Sequence, residues 1–221
     1  MSLRFCCLLL SVLRDVQLQY VFTKCYNESE KGAAFKADAS FMAEVESLKT
    51  LYKGEEDMNR ALLHGDLHPG SWMINEQEGV AKTIDPEFCI YGPPGLDVGS
   101  LLSGIALAGV YHTMRGDETG VVDRLAAVTE RIWESYAQTM EDSGIAADVT
   151  AKVGVDAVGF ACCEVARTAL GFAGDRVWLK FDDAAKSSKA EDMALALTKK
   201  CMAGRREGGV GFLAAAIRGL A

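Results

Sequence analysis

Three acidic side chains sit in two short motifs that could run chemistry. Asp66 lies within His64-Gly-Asp-Leu-His68, and Asp85 and Glu87 lie within Ile84-Asp-Pro-Glu-Phe88. One carboxylate in a tight loop and two more at a strand end is the arrangement that metal-dependent phosphoryl transfer uses. The first orients an attacking hydroxyl and accepts its proton, and the others hold a cation against phosphate charge. Gly65 relieves backbone crowding beside Asp66, and Leu67 can anchor the loop in a core. In an extended segment residues two apart project to one side, so Asp85 and Glu87 are expected to face a common cation, with Pro86 stiffening the bend. Their hard oxygens suit Mg²⁺, which keeps waters and bridges nucleotide phosphates. His64 and His68 stand four apart, but they lack the helical pattern and the interposed Glu of a zinc HExxH site. They read as structural histidines bracing the loop. Ser71, just beyond, is of a residue type that caps helices and turns.

The elements around these motifs must bring them together. Trp72-Met-Ile-Asn75 and Val80-Ala-Lys-Thr-Ile84 are joined by the polar turn Glu76-Gln-Glu-Gly79, which predicts a β-hairpin linking the two acidic motifs. Upstream, the run Met1 to Leu13 is read as a buried helix rather than an export signal, and the alternation in Val16-Gln-Leu-Gln-Tyr-Val-Phe22 predicts a short half-buried strand. Tyr26 to Lys36 reads as a loop. Phe41, Val45, Leu48 and Tyr52 fall at helical spacing with Ser40 as N-cap. Downstream, Leu101 to Tyr111 is apolar nearly all round and predicts a buried helix. Amphipathic helices are expected on Val121, Leu125, Val128, Ile132 and Tyr136, and on Val158, Cys162, Val165 and Ala169. Another follows on Met193, Leu197 and Cys201 after a polar linker at Asp182 to Lys189, with Gly208 to Gly211 breaking the chain before a short last helix. Trp72 and Trp178 read as core or lobe-packing aromatics.

Composition sets bounds on the function. A chain of 221 residues that is 49% hydrophobic can bury one sizeable core. A formal charge of −8 leaves no basic stripe for a nucleic-acid backbone. The first apolar run is too short to span a bilayer and has no small-x-small cleavage site, so neither membrane nor export is expected. Seven cysteines, including the neighbours Cys6-Cys7 and Cys162-Cys163, show neither CxxC nor zinc spacing. They read as reduced core residues of a cytoplasmic protein.

The motifs together are more specific than any one of them. His64-Gly-Asp-Leu-His-Pro-Gly-Ser71, Ile84-Asp-Pro-Glu-Phe88, Tyr91-Gly-Pro-Pro-Gly-Leu-Asp-Val-Gly99 and Leu170-Gly-Phe-Ala-Gly174 resemble the C-terminal lobe of the 5-methylthioribose kinases, within the aminoglycoside-phosphotransferase and choline-kinase group of protein-kinase-like folds. Val21-Phe-Thr23 and Ala61-Leu-Leu63 extend the likeness over nearly the whole chain. The resemblance implies an α+β, mostly α fold: one kinase-like lower lobe over residues 1–221, with a small hairpin carrying the catalytic and metal motifs. It gives Asp66 the base role, Asp85 and Glu87 the Mg²⁺, Ser71 an accessory cofactor contact, and Asp97 the brace that holds the catalytic loop through its backbone N–H groups. The implied reaction is ATP-dependent phosphorylation of a sugar hydroxyl in methionine salvage, with another small alcohol such as an aminoglycoside or choline, or a non-catalytic remnant, as alternatives.

Two departures stand beside it. Only 63 residues precede His64, and they carry neither the Gly-rich loop nor the strand-borne lysine of an upper, nucleotide-binding lobe. The chain is therefore expected to be truncated and inactive alone, to be completed by a separate lobe, or to associate through the exposed docking face as a homo-oligomer. The resemblance also implies paired sugar-contacting arginines shortly after Gly174, where this chain offers Arg176 and Lys180 instead.

Overall fold

The computed structural model describes residues 12–54, 59–116, 120–174 and 178–221. The first described stretch is helical rather than extended. Residues 12–28 form α1, interrupted by a π-helical turn at Tyr20–Lys24. The short alternation at Val16–Phe22 is overridden by Val21, Phe22, Cys25 and Tyr26, whose three- and four-residue spacing sinks all four into the core. The segment read as a loop contains α2 (Gly32–Lys36), because Tyr26 and Phe35 are both buried and pack with Phe41 as an aromatic trio. Of the helix read on Met1 to Leu13, residues 1–11 lie outside the described residues; Val12 is helical and exposed.

Helix α3 (Ala39–Lys53) buries Phe41, Val45, Leu48 and Tyr52 as their spacing requires. Its N-cap is Asp38, not Ser40. The Asp38 carboxylate accepts the Phe41 N–H at 3.1 Å and the Ser40 hydroxyl at 2.8 Å, a stronger cap than a lone hydroxyl.

Two small antiparallel sheets follow. Strand β1 (Ala61–Leu63) pairs with β4 (Ile90–Gly92), with Leu62 opposite Tyr91. The expected hairpin is formed by β2 (Trp72–Asn75) and β3 (Val80–Thr83), with Trp72 opposite Thr83 and Asn75 opposite Val80. Pairing β1 with β4 matters most for the site. It places the loop after β1 beside the start of the helix after β4.

That helix is α4 (Gly95–Arg115), buried along most of its length, and it packs on α6 (Ala147–Ala169). Contact between them is close enough that a Cβ on Gly99 would lie 2.4 Å from the Ala157 carbonyl oxygen, so only glycine fits there. Helix α5 (Val121–Asp142) lies alongside; Val122, Ala126 and Thr129 face inward, whereas Val128, expected on that face, is 42% exposed. The last helix, α7 (Ala184–Arg218), begins inside the stretch read as a linker, capped by Asp183 accepting from the Ala185 N–H at 2.8 Å. It kinks at Gly209, whose backbone is non-helical, as the glycine cluster predicted. Trp72 and Trp178 are half-buried, Trp178 against the core. Cys25, Cys162, Cys163 and Cys201 are buried free thiols, and no described helix is long and apolar enough to cross a membrane.

Candidate active site

The loop leaving β1 is held by its own backbone. Asp97, in the first turn of α4, accepts the His64 N–H at 2.7 Å and the Gly65 N–H at 2.9 Å, one on each carboxylate oxygen. Burial pushes the Asp97 carboxyl above its ordinary value. The Gly65 and His64 N–H groups pull it down, while the neighbouring Asp66 charge adds to the rise. Gly65 takes a left-handed backbone, φ +86°, and a Cβ there would fall 2.0 Å from the Phe88 carbonyl oxygen. The loop is thus pressed against the turn that carries Asp85 and Glu87, and any larger residue would push it away.

Both histidines make contacts within this loop. His64 Nε2 donates to the Ile84 carbonyl at 2.7 Å, and its Nδ1 accepts the Asp66 N–H at 3.4 Å, which fixes the tautomer. His68 Nδ1 accepts the Gly70 N–H at 3.0 Å, and its Nε2 lies 3.7 Å from an Asp66 carboxylate oxygen. Ser71 is buried, and its hydroxyl donates to the Asp66 carbonyl at 2.9 Å, the turn-bracing alternative of its two readings. The Ile84 N–H in turn donates to the Ser71 carbonyl at 2.9 Å. Both ends of the hairpin are therefore stitched to the Asp66 loop.

The acidic pair is not in an extended segment. Asp85 has φ +65°, the left-handed region, and is the single non-glycine with positive φ among the described residues. Pro86–Phe88 then forms a 3₁₀ turn. Proline favours the first position of such a turn, and a short polar Asp tolerates the left-handed residue before it. Both Asp85 and Glu87 are exposed, and strained backbone of this kind gathers at functional sites. Among the described residues no three His, Cys, Asp or Glu side chains gather as a metal cage. The donor set here is instead two hard carboxylates open to solvent. That set fits Mg²⁺, which takes one or two carboxylates and completes its shell with water and phosphate oxygens.

Asp66 opens into a cavity of about 340 Å³ whose walls include Gln17, Phe88, Glu164, Arg167 and Phe172. Glu164 and Arg167 went unnoticed in the sequence. Glu164 is 6% exposed and its carboxylate meets the Arg167 guanidinium at 2.7 Å, while Arg167 Nε is buried without a hydrogen-bond partner. Two charges at i, i+3 inside the otherwise apolar run from Val158 to Ala169 were the signal that could have found them. Lys180 is exposed and does not line this cavity; Arg176 lies outside the described residues. On the other face of the loop, Asp97 and Tyr136 share a larger, mostly apolar cavity of about 620 Å³.

Comparison with known proteins agrees with this architecture. Residues 14–139 match the model of the phosphotransferase enzyme family (APH). The chain is 32% identical over 179 residues to a methylthioribose kinase of Exiguobacterium sibiricum, covering 73% of this chain and 45% of that protein. It is 38% identical over 141 residues to one of Geobacillus kaustophilus, covering 59% and 34% respectively. With methylthioribose kinase 1 of Oryza sativa subsp. japonica it shares 29% over 228 residues, covering 89% of this chain and 51% of the relative. The chain thus spans about half or less of the length of these curated relatives.

Proposed function

The chain belongs to the phosphotransferase enzyme family, and from that premise we propose that it is the lower, catalytic lobe of an ATP-dependent small-molecule kinase whose acceptor is 5-methylthioribose. One observation carries the reading. The Asp97 carboxylate takes both the His64 and Gly65 N–H groups, so Asp66 is presented into a cavity by a loop anchored at two successive backbone groups. In this reading Asp66 accepts the proton of the attacking hydroxyl. Asp85 and Glu87 would hold Mg²⁺, while Ser71 braces the loop through the Asp66 carbonyl. Bound there, the ion supplies charge neutralisation on the nucleotide phosphates.

The acceptor is held from the opposite wall. Arg167, aimed by Glu164, has N–H groups suited to the hydroxyl oxygens of a sugar, and it replaces Lys180 as our candidate for that contact. Phe88 and Phe172 give the same cavity an apolar side suited to a thioether substituent.

The phosphate-covering machinery belongs to an upper lobe. Met73 and Val80, 63% and 41% exposed, share one face of the hairpin, and Ile74 on its other face is 69% exposed; the Met73–Val80 face is an exposed apolar surface of the kind that packs against a second body. We assign it to that lobe, with a second copy of this chain as the rival occupant. The buried free thiols suit a reducing, cytoplasmic setting. A coupled assay of the complete protein with Mg²⁺-ATP and a panel of small alcohols tests the reading. 5-Methylthioribose should give the highest kcat/KM, and turnover of an aminoglycoside or choline in its place would move the enzyme to another branch of the family.

A further inference from the structure

Several backbone groups of the catalytic loop have partners supplied from nearby or from α4. The His64 and Gly65 N–H groups go to Asp97, the Asp66 N–H to the His64 ring, and the Asp66 carbonyl to the Ser71 hydroxyl and the His68 N–H. The Gly65 carbonyl is different. It accepts from the side-chain amide of Gln17 on α1, 48 residues earlier in the chain. The orientation of that amide is settled by its neighbours. A carbonyl can only accept, so Gln17 Nε2 must face Gly65 and Oε1 must face the Tyr52 hydroxyl, which donates to it at 2.5 Å.

Tyr52 is itself fixed. It is 1% exposed, its ring packs on Phe22 with centroids 5.7 Å apart, and burial pushes its hydroxyl well above the ordinary value, so it stays a donor. The π turn at Tyr20–Lys24 begins three residues after Gln17. It changes the helix register there, so that Val16, Gln17 and Tyr20 line the Asp66 cavity while Val21 and Phe22 enter the core.

We infer that Gln17 is a positioning residue for Asp66, locking the peptide unit between Gly65 and Asp66 through the chain Tyr52 hydroxyl, Gln17 amide, Gly65 carbonyl. That peptide is held on its carbonyl side by Gln17 and on its N–H side by the His64 ring. Releasing the carbonyl lets the plane rotate, which changes φ of Asp66 and swings its carboxylate away from the line of attack. The inference rests on the reading of Asp66 as the base. A misplacement of about 1 Å at a reacting group costs on the order of 100-fold in rate, without weakening binding to the same degree.

Gln17→Leu and Gln17→Glu test it together. Leucine cannot donate. Glutamate cannot donate while ionised, but its protonated carboxyl can. Amide hydrogen exchange on this chain should show Gly65 and Asp66 exchanging about 10-fold faster in Gln17→Leu, with α4 amides unchanged. In the complete kinase, Gln17→Leu should lower kcat about 10- to 100-fold with KM within about 2-fold. Gln17→Glu should match it at neutral pH and recover relative to wild type as its carboxyl protonates, while Gln17→Leu stays low at every pH. Unchanged exchange in Gln17→Leu overturns the inference whatever the rates. Normal turnover of Gln17→Leu beside an inactive Asp66→Asn overturns it while leaving the Asp66 reading intact. Normal turnover of Asp66→Asn removes the base reading, and exchange alone then judges whether Gln17 orders the loop.

Discussion

Replacing Gly65 with alanine probes the contact on which the site is built. The new Cβ would sit 2.0 Å from the Phe88 carbonyl oxygen and 2.6 Å from its carbon, both backbone atoms that cannot swing aside as a flexible side chain would. Its φ of +86° adds the left-handed penalty for any L side chain, about 1–2 kcal/mol. Relief requires the loop and the Pro86–Phe88 turn to part, which stretches either the His64–Ile84 bond or the paired bonds to Asp97. Losing one bond to a charged acceptor costs roughly 1.5–3 kcal/mol. The sum is roughly 2.5–5 kcal/mol, a fall in melting temperature on the order of 10 °C for a chain of this size. Gly79 is the control: it also has positive φ, +64°, but nothing lies within 4 Å of where its Cβ would go. Gly79→Ala should lose only about 1–2 kcal/mol, the φ penalty alone. Thermal melts of both variants by circular dichroism decide the matter. If Gly65→Ala melts with Gly79→Ala, the loop is not pressed against the acidic turn and the geometric argument fails.

Other outcomes follow from the same structure. Asp97→Asn keeps one acceptor and turns an amide donor toward the other backbone N–H, so it should cost about 1–3 kcal/mol at neutral pH. Because burial raises the folded carboxyl value, Asp97 contributes stability that is full below its unfolded value and is lost as pH rises through the folded one. The gap between wild type and Asp97→Asn should therefore widen as pH falls, which melts across the acid range would show. Burial pushes the Glu44 carboxyl up, but the Arg206 and Arg205 guanidinium groups more than offset it and leave it below its ordinary value. Its stabilisation is present above the unfolded value and lost as pH falls through the depressed one, so Glu44→Gln should flatten the acid limb of a stability–pH curve measured by urea titration. Asp85→Gly relieves the left-handed backbone and should melt within about 1 kcal/mol of wild type. Its turnover in the complete protein should nevertheless fall at least about 100-fold; retained activity would remove Asp85 from the metal role.

The site was legible in the sequence where chemistry needs particular residue types at fixed spacing. Asp97 meets the backbone of the His64–Asp66 loop, His64 ties that loop to Ile84, and a hairpin forms on the two strand candidates that start at Trp72 and Val80. What stayed hidden depends on contacts distant in sequence. Strands of three residues, such as Ala61–Leu63 and Ile90–Gly92, are too short to show a period, and Leu62 and Tyr91 are exposed besides. The stretch from Val16 to Phe22 alternates over so few residues that helix and strand readings compete, and burial of Phe22 and Tyr26 against α3 and α6 settles it. Asp85 stands at the end of a strand candidate and so reads as extended; it takes a left-handed backbone instead, next to Ile84, whose carbonyl is tied to the His64 ring. Glu164 and Arg167 escaped notice because, inside an apolar helix, a charged pair carries no motif until the fold shows which cavity it faces.

The most direct measurement is steady-state phosphorylation of 5-methylthioribose by the complete protein and by its Asp66→Asn variant, with Mg²⁺-ATP saturating and both proteins shown to melt alike. Asparagine keeps the shape of the side chain but cannot accept the hydroxyl proton. The expected result is a kcat lowered about 10²–10⁴-fold with both KM values nearly unchanged. A variant that turns over at the wild-type rate would contradict the assignment of Asp66 as the base and, with it, the catalytic reading of the loop.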